Sequence, residues 1–280
     1  QLFCTLLGCG MELTISVDDG WAGIVSALAD AGPGTTVVLQ PGLYEGSSSL
    51  VVSNGITLRG AGAVLKFHGD GPVIKATDVQ DIALSGFTVD AREAQMVFRA
   101  LPDSEPYGPS EDETPVNWGL IWLQNVDTGC VSGVTVVGCG NRVHGLFASK
   151  SKDLVIEDTD LSLARDGMRI VSSRARITGN RCHDNTRSGI LLFSSESEAL
   201  EQNDCWGNGN NGIALERDPD SADAPARARI TGNRCHENTQ SGIILFSSES
   251  EALEQNDCWG NGYHGIVLQR DPKSADAPAR

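Results

Sequence analysis

The chain has 280 residues, with 21 Lys plus Arg against 37 Asp plus Glu and a formal charge of −16. A field of that sign repels a phosphate backbone or an anionic membrane surface, which excludes generic nucleic-acid binding. No run approaches the roughly 20 consecutive apolar residues that a membrane-spanning helix needs. With 32 glycines and 5% aromatics, the composition favours tight corners over large core side chains, and so one elongated domain.

In chain order, residues 1–10 are apolar but lack a basic flank and are short for a secretory leader. Residues 1–19 therefore read as a remnant and lead-in segment, with a natural start at Met11. Trp21, Ile24, Val25 and Leu28 share one side of a short amphipathic helix, stopped by Gly32, Pro33 and Gly34. Val37, Val38 and Leu39 begin a sheet, and residues 56–58 and 82–84 supply strands 26 residues apart. Residues 91–118 interrupt this beat as an excursion rich in proline and acidic residues, with Met96, Phe98, Leu101 and Tyr107 as apolar anchors.

Residues 175–227 and 228–280 are identical at 45 of 53 positions. They differ at Asp184/Glu237, Arg187/Gln240, Leu191/Ile244, Asn210/Tyr263, Asn211/His264, Ala214/Val267, Glu216/Gln269 and Asp220/Lys273. Within each copy Asn-x-Cys-x-x-Asn precedes Gly-Ile-x-Leu twice, with the glycines at 189, 212, 242 and 265. The same beat extends back through Gly167 and Gly145 to Gly119. After each glycine the first and third residues are constant apolar columns, beginning at Leu120 and Trp122, and alternation turns those columns inward. A coil this short cannot enclose its own core, so it must stack on its neighbours as parallel strands.

From Gly20 onward these repeats resemble the right-handed parallel β-helix superfamily, with pectate-lyase-like repeats. Residues 20–44 resemble the opening segment of many of its members, where a helix caps the first coil. The resemblance implies an all-β, single-domain solenoid over 20–280 with an N-terminal helical cap. The far end, by contrast, reads as truncated, because Arg280 falls where the preceding copy ran on into Ala228 and Arg229. The stacked asparagines suit turns, through left-handed dihedrals and amide ladders. Cys182, Cys205, Cys235 and Cys258, with Cys139 nearby, suit a buried column better than a tetrahedral metal site.

Function rests on the polar residues that break the pattern. The corner before each strand reads Trp118, His144, Asp166, Ser188, Asn211, Ser241 and His264. In register, His144, Asp166, Arg165 and Arg187 form a compact polar patch, which Arg142, Arg169 and Trp118 enlarge as substrate-binding candidates. A solvated corner is the plain structural reading. The functional one is an acidic glycan, whose carboxylates match guanidinium forks. A lyase or epimerase would take the proton beside the sugar carboxylate with His144 or Asp166, and Arg165, Arg187 or Arg169 would stabilise the resulting charge. A secreted or periplasmic location would follow from that activity. Asp218-Pro219 and Asp271-Pro272 match two letters of the Asp-Pro-His segment of alginate epimerases, but Asp220 and Lys273 replace its histidine.

No cofactor is implied. Calcium is the one ion the carboxylates could serve, at Asp153, Asp158 and Asp160, at Asp18 and Asp19, or at the recurring Glu196/Glu198 and Glu249/Glu251. The alternative to catalysis is a protein partner or a second copy of the chain. It would dock on an outward stripe of Ile121, Leu123, Phe147, Val171, Leu191, Phe193, Ile244, Phe246 and Val267.

Overall fold

The inner columns decide the architecture. Ile190–Phe193, Ile213–Glu216, Ile243–Phe246 and Ile266–Gln269 pair in parallel, isoleucine on isoleucine and leucine on leucine. Ile190, Leu192, Ile213, Leu215, Ile243 and Leu245 are all buried, as the two-residue alternation requires. The computed structural model describes residues 10–95, 118–140, 143–217 and 226–269. Among these, 26 strands make a 17-stranded and a 9-stranded sheet. Their pairing is parallel, coil upon coil.

The larger sheet bends into two limbs. Ile74–Ser85 and Gly119–Ser132 run unbroken across the bend, while later coils split there, as at His144–Ser149 and Lys152–Glu157. Ser151, Ser173 and Ser195 hold the split corners together, each backbone N–H of the first two donating to the next hydroxyl at 3.0 and 3.1 Å.

One end is closed by α1 (Gly20–Asp30), which follows a 3-10 turn at Val17–Asp19. Trp21, Ile24, Ala27 and Leu28 are its buried residues. Val25 is exposed instead, because the helix presents Ala27 to the core one turn beyond Ile24. Trp21 donates from Nε1 to the Ser48 carbonyl at 3.0 Å. Its ring lies so close to Gly46 that a Cβ there would meet it at 2.1 Å, so only glycine fits.

The repeated glycines answer to the same kind of constraint. A Cβ at Gly167, Gly189 or Gly212 would sit 2.7 Å from the carbonyl oxygen of the next glycine in the column. Close stacking, not a left-handed dihedral, keeps them glycine, since none of the three has positive φ.

The asparagines form two ladders. Asn180, Asn203, Asn233 and Asn256 bond amide to amide at 3.0, 3.0 and 2.9 Å. Asn185, Asn208, Asn238 and Asn261 do the same at 3.0, 2.9 and 3.0 Å. The left-handed conformation expected of these residues belongs to the residue before each. Gly179, Gln202, Gly232 and Gln255 precede the first ladder with φ of 68, 55, 65 and 55°. Each amide is then free to satisfy buried backbone groups of the adjoining coils.

Cys182, Cys205, Cys235 and Cys258 stack in register behind Val136 and Leu161. Their thiols are free, and burial pushes that of Cys205 well up from its ordinary value. Cys139 lies outside this column, where Val136 takes its place.

The coil at Gly119 corrects the reading of its register. His144 pairs with Gly119, so Leu146 faces Ile121 and Phe147 faces Trp122. Ile121 and Leu123 therefore point inward, and Trp122 outward, where the Lys75 ammonium lies 4.9 Å from its ring centroid. Gly119 does not belong to the glycine column.

Candidate active site

The outer face of the limb that carries Met168–Val171, Ile190–Phe193 and Ile213–Glu216 collects the polar residues. The corner leading into it is a backbone ladder. Arg165 N–H donates to the Val143 carbonyl at 2.8 Å, Arg187 to Arg165 at 2.7 Å, and Asn210 to Arg187 at 2.9 Å. This confirms that Arg165 and Arg187 occupy one phase of adjacent coils. His144, Asp166 and Ser188 occupy the next phase, and all three are buried.

His144 Nδ1 lies 3.1 Å from Asp166 Oδ2. The Ser188 N–H donates to Asp166 Oδ1 at 2.9 Å, and an Arg169 guanidinium nitrogen stands 3.8 Å from Oδ2. Burial alone would raise the Asp166 carboxyl. The His144 contact, the charges of His144 and Arg169 and the Ser188 N–H outweigh it and hold the carboxyl at about 2. Burial pulls the Arg169 guanidinium down from its ordinary value, against the opposing pull of Asp166 and Glu216. The Asp166 N–H also points at His144 Nδ1, at 3.4 Å. That nitrogen accepts from the backbone in one tautomer and donates to the carboxylate in the other. The His144 ring stacks on Phe147 with centroids 5.8 Å apart.

Arg169 projects outward between Phe147 and Leu191, its guanidinium 5.9 Å from the centroid of the Phe193 ring. Glu216 continues the outward column after Phe193 and completes the cluster. It was not among the residues expected from the corner pattern. Its carboxyl is raised above the ordinary value, chiefly by burial, with Asp166 adding to the rise while Arg169 and Arg187 oppose it. The sequence did carry a signal for it, as one of the eight differences between the two near-identical copies. Six of those eight pairs, those of Arg187, Leu191, Asn210, Asn211, Ala214 and Glu216, fall on this outer face or its corner.

Other expected residues fall elsewhere. Trp118 has the phase of Val143 rather than His144, the same phase that Arg165 takes two coils on, and its half-buried side chain packs against the hydrophobic core. Arg142 lies outside the described residues, as do 96–117 of the excursion and the Asp-Pro pairs. The expected open groove is instead a closed floor of His144, Arg165 and Asp166, all buried, with half-buried Arg169, Arg187 and Glu216 above it. Along the expected stripe Phe147, Leu191 and Phe193 are buried, while Val171, Ile244, Phe246 and Val267 are half-buried.

Among the described residues no three His, Cys, Asp or Glu side chains converge as a metal site. Several of the carboxylates considered for calcium have cationic neighbours. Asp153 pairs with Arg174, Asp160 with Arg181 and His183, and Glu249 and Glu251 with Arg227. No helix of the described residues is long and apolar enough to cross a membrane.

Comparison with known proteins agrees with this architecture. A family model described as a right handed beta helix region matches residues 119–271. Human F-box only protein 10 is 27% identical over 132 residues, covering 47% of this chain and 13% of that protein's length. Among solved structures, the A-module of the Azotobacter vinelandii mannuronan C-5 epimerase AlgE4 superposes with a TM-score of 0.66 at 18% identity. That likeness covers 88% of this chain and 68% of that one. Pectate lyase Pel9A gives 0.55 at 13% identity, covering 98% of this chain and 82% of that one. At such identities the solved structures speak for the fold. With parallel coils throughout the described residues and a family model matched over more than half its length, the chain belongs to the right-handed β-helix family.

Proposed function

We propose that this chain processes an acidic polysaccharide at the outer face around Arg165, Arg169 and Arg187, by removing the proton beside a uronate carboxylate. The carrying observation is the divergence of two otherwise near-identical copies, six of whose eight differences fall on this face. Two proteins that share the fold, a mannuronan C-5 epimerase and a pectate lyase, are named for acidic glycans, which supports the reading.

In this reading Arg165 and Arg187 seat the carboxylate, since guanidinium forks match its two oxygens. Asp166, ionised and fixed by Ser188, holds the imidazole of His144 with Nδ1–H toward itself. That leaves Nε2 unprotonated, as a base. Arg169 stabilises the negative charge that then develops on the sugar. His144, Arg165 and Asp166 are all buried, so in this reading the outer face must open before the polymer can reach them.

The test is a panel of uronate polymers, scored for ultraviolet-absorbing unsaturated ends and for epimer composition. Both His144→Ala and Asp166→Ala should lower turnover by about 10²-fold or more with folding intact. Conversion of no uronate polymer by the parent protein would overturn the reading.

A second reading rests on half-buried Val171, Ile244, Phe246 and Val267, which form an apolar strip that catalysis does not require. Here a second copy of the chain or a protein partner would cover the strip. Aspartates at Phe193 and Phe246 would then lower the mass measured by light scattering.

A further inference from the structure

Two carboxyl groups belong to the outer cluster, and their settings are opposite. Asp166 is enclosed and anchored by a backbone N–H and by His144. Glu216 lies two coils on from Arg169 and keeps part of its surface open. Its neighbours in the outward column are Phe193 before it and Phe246 after it. The apolar flanks favour a neutral carboxyl there, consistent with the upward shift that burial imposes on it. Asp166 holds His144 as the base, which leaves the acid role to the carboxyl whose surroundings favour its neutral form. The sequence adds an independent observation. At the same phase of the second copy stands Gln269, which has the shape of Glu216 but no proton to give.

Resting on the proton-abstraction reading above, we infer that Glu216 is a further catalytic group of this face, the proton donor that completes the reaction. His144 Nε2 takes the proton from the carbon beside the sugar carboxylate, and the electron pair of that C–H bond moves into the carboxylate to form an enediolate facing Arg169. The pair then returns by one of two routes. In epimerisation it forms a new C–H bond on the opposite face with the Glu216 proton. In elimination it forms a carbon–carbon double bond, the neighbouring C–O bond breaks, and the Glu216 proton goes to the departing glycosidic oxygen. In either route Glu216 is left as a carboxylate and His144 as imidazolium. One proton passed to water and one taken from it restore both.

The experiment runs the parent protein, Glu216→Gln and Glu216→Asp on mannuronan and on polygalacturonate in deuterated water. Product and deuterium beside the carboxylate are measured separately. Glu216→Gln should lower product by about 10²-fold or more while recovered starting polymer still gains deuterium, because His144 continues to remove and return a proton. Glu216→Asp should restore part of the product. Gln269 shows that the fold accepts glutamine at this phase, and an unchanged unfolding midpoint checks it. Full product from Glu216→Gln overturns the inference and leaves the wider reading standing. Exchange and product falling by one common factor also overturns it, since Glu216 would then act before or during proton removal. A parent protein that neither exchanges nor converts either polymer overturns the proton-abstraction reading, and the role of Glu216 with it.

Discussion

Leu215 lies fully buried between Leu192 and Leu245 in neighbouring coils, so the walls of any cavity made there are held by the stack. Leu215→Ala should therefore cost about 2–5 kcal/mol, the range for leucine deletions whose surroundings relax only in part. Urea unfolding measures it, and a loss under about 1 kcal/mol would mean that the coils collapse into the space. Inward residues of this kind were legible in the sequence because alternation and repetition gave the same answer. The asparagine sites were legible as ladders but not in their dihedrals, since the left-handed bend belongs to Gln202 and Gly232 rather than to Asn203 and Asn233. Glu216 was missed for a different reason. Its outward column runs Ser149, Val171, Phe193, Glu216, Phe246 and Gln269, so the apolar members marked the column as surface, and only the Glu/Gln difference between copies pointed to chemistry.

Single strands carry a second pattern, in which charge alternates from coil to coil. On the smaller sheet Asp160, Arg181, Asp204, Arg234 and Asp257 stack in one column. Beside them His183, Trp206, His236 and Trp259 stack ring on ring, with centroids 4.2, 5.9 and 4.2 Å apart. On the second limb of the larger sheet Arg174, Glu196, Arg227 and Glu249 alternate likewise. Pairing a coil with its next-but-one neighbour would set like charges together, which explains physically why the repeated unit is two coils.

His183 bonds Asp160 at 2.9 Å and Asp184 at 2.8 Å. The Asp160 bond leads in raising the imidazole above its ordinary value, and the His183 bond leads in lowering the Asp160 carboxyl. The histidine contribution is thus fully present below its ordinary 6.5 and lost as pH rises through the raised value. The aspartate contribution is present above its ordinary 3.8 and lost as pH falls through the lowered one. The stability difference between the parent protein and His183→Gln should therefore peak between 3.8 and 6.5 in a urea series across pH. A difference that stays flat from pH 4 to 9 would contradict the pairing. At this scale the sequence misled at one coil. Residues 91–118 break the beat, and Gly119 with Leu120 and Trp122 imitates the glycine-led column one residue out of step.

Over the whole molecule, the fold was legible because a repeated coil admits few architectures that bury both its faces. The site was legible only in part. Its arginine corner followed from phase, whereas the enclosure of His144 and Asp166 depends on side-chain packing that no periodicity records. The two copies provide the sharpest experiment, because each is a tested solution to the same backbone. Their inner columns and the charge ladders of the other two faces agree from copy to copy, so the face around Arg187 and Glu216 is where they have been made different. The measurement is turnover and binding of uronate polymer by a variant carrying six changes: Arg187→Gln, Leu191→Ile, Asn210→Tyr, Asn211→His, Ala214→Val and Glu216→Gln. Each change installs what the fold already holds one repeat later, so the unfolding midpoint should stay close to that of the parent. Turnover should fall by about 10²-fold or more, with weaker polymer binding. A variant that folds, binds and turns over as the parent does would contradict the claim that this face carries the function.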